Sequence, residues 1–455
     1  MLNQAEREII ADLYLSRSGL DFLEELIDRF GSRFGGSPEE QEAASFIRER
    51  LLAAGAAPVT LETFQCAGWT RKDTRLTVNA PAQQEIGCIA LPYCPPGEVT
   101  GRLVYLGDGH PQNYADQREN IKDAIVMVTT ATPRFYHRSM HRGEKLGRAL
   151  EAGAAGFIWM RGEAGGLPET GSARFNKPCE VPAISVSYEA GHELVRLSHR
   201  QPVELTITST NENHTVTSHN VVAEFKGAKR PDEIIVLGAH YDGHDISQAA
   251  GDNGAGAAVL VEAARGLGRH QKLLERTVRL VAFAQEEMGL IGASHHAHTH
   301  AGENIKLMLN LDGAGRGPSG TFQLQGWPES IGFFKDLFKS LYEPDVAVGD
   351  QIGLYSDMYP FAALGIPAAT YTSSSPGTAG APRGYGHTAW DSLDKVQSKP
   401  IQVDAARIAR LTLRLSQADE IPLNRKEPAA IGAILKEMGL DTVLQYERRP
   451  IPGEA

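Results

Sequence analysis

The second half of the chain alternates two kinds of hydrophobic pattern. Short, almost unbroken apolar runs recur: EIIVLGAH (233–240), TVRLVAFA (277–284), LMLNLD (307–312) and GIPAATYT (365–372). Runs of this length without polar alternation predict strands buried on both faces. Between them, apolar residues at helical spacing predict helices over 255–267, after Glu287 and over 331–341. Strand and helix in alternation predict an α/β fold, a three-layer αβα arrangement around a mainly parallel sheet.

The first half reads differently. Ser37-Pro38-Glu39-Glu40 has the composition of a helix start, with serine at the cap, proline at the first helical position and glutamate three residues on. Ala43, Ala44, Ile47, Leu51 and Leu52 then share a face, and Gly55 offers a left-handed exit. An earlier amphipathic helix runs through Leu20, Phe22, Leu23, Leu26 and Ile27, and strands are expected at 60–64 and 76–78. Near Cys94-Pro95-Pro96-Gly97 the composition changes, and 97–207 reads as an inserted β-rich module. The expected organisation is a discontinuous α/β domain over 1–96 and 208–425, the insert, and an appendage at 426–455.

Composition narrows the function classes. A net charge of −11 over 455 residues argues against a nucleic-acid or anionic-membrane surface. No run approaches the length of a membrane span. Cys66, Cys88, Cys94 and Cys179 are irregularly spaced without a C-x-x-C pair, which favours reduced structural thiols. The opening MLNQAEREIIADLYL lacks the pattern of a secretory leader. A cytoplasmic protein is the expectation, with a secreted form as the alternative if the N-terminus has been trimmed.

Six side chains carry the chemistry. In an open parallel sheet ligands gather beyond the carboxyl ends of the strands, and His240, Asp252, Glu286, Glu287, Asp312 and His387 all fall at such ends or in the loops that follow. Carboxylate oxygen and imidazole nitrogen suit hard and borderline cations, and one shared carboxylate serves a pair of them well. Five of the six could hold two divalent cations, leaving the sixth as a base. Asp242, two residues after His240, would face the same side of the strand and accept its second ring N–H. Each position has an ordinary alternative: a helix cap for Asp252, a helix N-terminus for Glu286-Glu287, a solvated loop for His387. The histidine run from His295 to His300 is expected on a helix with most side chains in solvent, and His137 and His141 on the surface of the insert.

The stretches GAHYDG, GDNGAGAA, FAQEEMGLIGA, NLDGAG, YSDMYPFAALGIPA and GHTAWDSLDKV, in that order, resemble the di-zinc aminopeptidase family. That family includes bacterial aminopeptidases, plasma glutamate carboxypeptidase and glutamate carboxypeptidase II. GSRFGGSPEEQEAASFIRERLLAAGA looks like its N-terminal helix, and the insert is similar to a protease-associated domain. The resemblance implies a zinc-exopeptidase-like fold and two metal ions, zinc by preference. His240, Asp252 and Asp312 would hold one, and Asp252, Glu287 and His387 the other. Glu286 would be the acid/base, with Asp242 behind His240. Two departures stand out: Gly386 occupies the place where many relatives carry tyrosine, with Tyr385 one residue earlier, and Met358 replaces a histidine after Ser356-Asp357.

The expected activity is exopeptidase hydrolysis of short peptides, aminopeptidase first. Asp357 is a candidate for the substrate amine and Tyr385 for the reacting carbonyl. Arg316 or Arg383 would serve a terminal carboxylate in a carboxypeptidase or dipeptidase. A non-catalytic receptor-like protein is the rival from another class, and glutaminyl cyclisation a third reading. A homo-oligomer is compatible with the sequence.

Overall fold

The computed structural model describes residues 2–374 and 384–454. The chain forms two compact units, one from Met1–Gln65, Thr217–Met438 and Pro452–Ala455, the other from Cys66–Val216 and Gly439–Ile451.

The first unit is built on an eight-stranded sheet. Its strands are β1 (Val59–Thr70), β2 (Glu212–Phe225), β3 (Arg230–His240), β4 (Arg276–Phe283), β5 (Asn304–Asn310), β6 (Ser319–Leu324), β7 (Ala347–Asp350) and β8 (Ala368–Ser374), in the order β1-β2-β4-β3-β5-β8-β6-β7. The central four, β4-β3-β5-β8, are parallel. β2 joins β4 and β6 joins β8 antiparallel. Every residue of β4 is buried, as its unbroken apolar run requires. Among the helices α1 (Gln4–Leu15), α2 (Ser18–Phe30), α3 (Pro38–Ala53), α4 (Ala255–Gly268), α5 (Ile291–Thr299), α6 (Ile331–Ser340), α7 (Met358–Ala363), α8 (Ser398–Gln417) and α9 (Pro428–Glu437), two groups pack together. α1, α2, α3, α4 and α8 form one, and α5, α7 and α9 the other. No helix among the described residues is long and apolar enough to cross a membrane.

α3 begins as its sequence predicts: the Ser37 hydroxyl accepts the Glu40 N–H at 3.2 Å, and Pro38 is the first helical residue. The Glu40 carboxylate turns instead to the Gly36 N–H, 2.8 Å away. Leu52, expected on the apolar face, is exposed, and Phe46 is buried in the helix's packed face.

The second unit starts before the expected 97 and ends after 207. Thr74–Ala80 pairs with Glu204–Ser209, which pairs in turn with Gly97–Tyr105, so the strand at 74–80 belongs to this sheet. Helix Arg142–Glu151 supplies Leu146 and Ala149 to one apolar cluster, and Tyr188–Ser198 supplies Leu194 and Val195 to the other. His141, expected on the surface, caps the first of these helices and sets Nδ1 2.9 Å from Glu447. His137 is exposed. The expected appendage is divided, α9 lying in the first unit and Asp441–Glu447 in the second.

Candidate metal centre

Strand register sets the site. In the parallel core His240 lies opposite Phe283 and Gly238 opposite Asn310, and Asn310 opposite Thr370. The residues leaving these strand ends therefore start from one rim.

β3 ends on His240, which is fully buried. Its Nδ1 lies 3.2 Å from the Asp242 carbonyl oxygen and 3.5 Å from Asp242 Oδ1. Its Nε2 lies 3.7 Å from Asp252 Oδ1 and 3.9 Å from Asp312 Oδ1. Those separations are too long for hydrogen bonds, and Nε2 has no hydrogen-bond partner among the described residues. Burial would lower the His240 pKa, but the nearby Glu286 charge and the Asp242 contact outweigh it and raise it well above the usual value.

Beyond β4 the chain turns at Gln285, which adopts a left-handed φ of 61°. The two following N–H groups then reach one carboxylate: Asp242 Oδ1 accepts from Glu286 at 3.1 Å and Oδ2 from Glu287 at 3.2 Å. The helix-terminus alternative for this pair does not hold, because α5 starts only at Ile291. Burial, opposed by His240 and reinforced by Glu287, lifts the Glu286 pKa well above the carboxylate range. Burial also acts on Glu287, but His244 and His387 overcome it and hold that group well below the range.

Asp252 lies in the wide turn Ala250–Gly254 before α4, with non-helical φ −121° and ψ 90°. It is not the helix cap; Gly254 occupies that position. Asp391 fixes this turn, its carboxylate accepting the Gly251 N–H at 2.7 Å and the Asp252 N–H at 3.0 Å. Asp312, just past β5, accepts the Ser356 hydroxyl at 2.7 Å, and Ser356 accepts from Asn310 at 2.6 Å. His387 is buried, at a left-handed φ of 62°. Its Nε2 lies 3.2 Å from Glu287 Oε2 and 3.5 Å from Asp252 Oδ2.

Sequence reasoning missed His244. It is buried in the loop after β3, its Nε2 2.9 Å from Glu287 Oε2 and its ring edge-on to His387 at 4.5 Å. The available signal was its position four residues after His240, but a loop histidine has no strand end to mark it. Two donor groups thus converge, His240/Asp252/Asp312 and His244/Glu287/His387, each with ligand atoms within 4.8 Å of one another. Two imidazoles with a carboxylate, or one with two, match the donor chemistry of zinc-like cations. The Asp252 oxygens are split, Oδ1 toward His240 and Oδ2 toward His387.

The substrate-side candidates fare differently. Asp357 is fully buried, and burial together with neighbouring carboxylates pushes its pKa well up. Arg316 donates through Nε to the Gly251 carbonyl at 2.9 Å and through Nη2 to Asp252 Oδ1 at 3.2 Å. Tyr385 is exposed, its ring 5.9 Å from that of Trp390. Arg383 lies outside the described residues.

The histidine run departs from expectation. His298 is exposed, but His296 is fully buried and His300 partly so, and both meet Glu62.

Residues 220–412 match Peptidase family M28, and residues 99–194 match the PA domain. A probable leucine aminopeptidase 2 of Arthroderma benhamiae is 27% identical over 282 residues, 61% of this chain; the chain spans only 54% of that relative's length. Among solved structures, a peptidase M28 precursor from Shewanella amazonensis SB2B is similar with a TM-score of 0.78 at 24% identity, covering 92% of this chain and 98% of that one. A zinc aminopeptidase from Bacillus subtilis is similar with a TM-score of 0.67 at 21% identity, covering 90% and 98%. At these identities the structural likenesses establish the fold.

Proposed function

We propose, from the premise that the chain is a member of peptidase family M28 carrying a PA domain, that it is a metal-dependent exopeptidase, an aminopeptidase acting on short peptides. The observation that carries the reading is the split carboxylate of Asp252, one oxygen toward each histidine-containing donor group. His240, Asp252 and Asp312 would hold one divalent cation. Glu287, His387 and His244 would hold a second, with Asp252 shared. Zn²⁺ suits these ligands, and a structurally similar protein is a zinc aminopeptidase. When bound, such cations acidify the attacking water and polarise the scissile carbonyl.

Glu286 does the proton transfer. Its raised pKa is the direction that lets a carboxylate take a proton from the attacking water and return it to the departing amine. Asp242 orients it by accepting its backbone N–H. Arg316 bears on the choice between peptide ends. A carboxypeptidase needs an arginine turned to the substrate. Of the two candidates, Arg316 is engaged with Gly251 and Asp252, which favours the aminopeptidase reading as far as the described residues go, Arg383 lying outside them.

Glu286→Gln tests the mechanism. It should keep the metal content and lower turnover by roughly 10²–10⁴-fold; near-normal turnover would remove Glu286 from the reaction. An amino-acid anilide assayed beside a peptide blocked at its N-terminus tests the polarity, and preferred cleavage of the blocked peptide would reverse it.

A further inference from the structure

We infer that Glu62, His296 and His300 form a separate metal site, built for a borderline divalent cation such as Zn²⁺. The site shares no residue with the centre at the strand ends.

Helical spacing is its first element. His296 on α5 and His300 at its C-terminal cap are four residues apart, so they stack on one side of the helix, with ring centroids 4.2 Å apart. The side chain of Glu62 on β1 meets both: Oε2 lies 3.0 Å from His296 Nδ1 and Oε1 lies 3.0 Å from His300 Nε2. One ligand atom from each residue falls within 4.8 Å of the other two. Around a tetrahedral ion with bonds of 2.0–2.1 Å, ligand atoms sit roughly 3.3 Å apart, so only small side-chain shifts separate this cluster from a coordinated one.

Proton counting points to a cation. His300 has carboxylate oxygens against both ring nitrogens, Glu303 Oε1 at 2.9 Å from Nδ1 and Glu62 Oε1 at 3.0 Å from Nε2. A neutral imidazole has one N–H. With that proton directed to Glu303, the Nε2 lone pair faces a carboxylate lone pair, and a positive centre is needed between them. A second ring proton or a metal ion can supply it. The surroundings favour the metal. Glu303 on the far nitrogen of His300 is the arrangement that fixes the tautomer of a ligating histidine. Asn220 Nδ2 donates to Glu62 Oε2 at 2.8 Å and fixes that carboxylate. Arg279 Nη1, 2.7 Å from Glu303 Oε2, holds in place the carboxylate that faces His300 Nδ1. His296 is wholly buried and packs edge-on against Phe283, whereas Glu62 and His300 keep some exposure through which an ion can enter. A bound ion would clamp α5, the helix following the Glu286-Glu287 turn, onto β1.

The test is a zinc count on the full chain. The protein is stripped with a chelator and titrated with Zn²⁺ against a chromophoric competitor. His300→Gln and Glu62→Gln, each at a partly exposed residue and each checked for a cooperative thermal transition, should bind one equivalent fewer than the parent. Peptide hydrolysis at saturating Zn²⁺ should persist. A double variant, His240→Ala with His387→Ala, should still take up one zinc ion that is lost on adding His300→Gln. Unchanged stoichiometry in His300→Gln, or no zinc uptake by the double variant, would overturn the proposal and leave Glu62 as the partner of a protonated histidine. Because the double variant isolates this cluster, its result stands apart from the fate of the strand-end centre.

Discussion

Asp242 accepts the backbone N–H of Glu287 at 3.2 Å while its other oxygen accepts that of Glu286, so one buried carboxylate orients both the proposed base and a proposed ligand. Asp242→Asn exchanges one accepting oxygen for an amide donor that would face an N–H. The expected result is a folded protein with metal affinity or turnover reduced about 10–100-fold, the range for residues supporting a ligand. Equilibrium dialysis and steady-state kinetics measure it; parent-like values in both would leave Asp242 with a packing role alone.

His244 provides a sharper test of the second donor group. With Nε2 2.9 Å from Glu287 Oε2, it is the third donor of the proposed second cation site. His244→Gln should weaken retention of one cation about 10–100-fold and leave the other unaffected. Competition titration distinguishes the two; affinities equal to the parent's at both sites would exclude His244 from the centre.

The Asp391 carboxylate is the acceptor for two turn N–H groups, those of Gly251 and Asp252. In Asp391→Ala these partly buried donors lose their partner, at a cost of about 1–3 kcal/mol each if water does not replace it. Denaturant unfolding should show the loss, accompanied by lower activity because Asp252 is no longer held. An unchanged midpoint would mean that solvent or a neighbouring group replaces the carboxylate.

Glu40 imposes a pH dependence on stability. Burial, with Asp242 nearby, raises its pKa from 4.5 to about 8. Between those values the unfolded chain has released a proton that the folded chain retains. Folding stability therefore falls as pH rises from about 4.5 to about 8, then levels off. Glu40→Gln preserves an acceptor for the Gly36 N–H and removes the titration. Its thermal midpoint should exceed the parent's by more at pH 8.5 than at pH 5. Parallel curves for the two proteins would rule out Glu40 as the source.

What could be read without coordinates was whatever local patterning encodes. Unbroken apolar runs marked β3, β4, β5 and β8, because a strand covered on both faces has no position for a polar side chain. Ser37-Pro38 marked the start of α3, because backbone donors at a helix end need a nearby acceptor. Strand ends pointed to His240, Glu286, Glu287 and Asp312, since parallel strands bring their carboxyl ends to one rim. Tertiary structure decided everything that depended on which loops meet. The sequence interval between His244 and Glu287, or between Glu62 and His300, carries no periodic signal; only the order of β1, β3 and β4 in the sheet and the packing of α5 bring those donors together. Arg316 likewise read as a candidate for a terminal carboxylate, whereas the fold engages it with the Gly251 carbonyl and Asp252. Periodicity records how each segment is buried, whereas coordination depends on distances between segments, and those are set by the whole sheet at once.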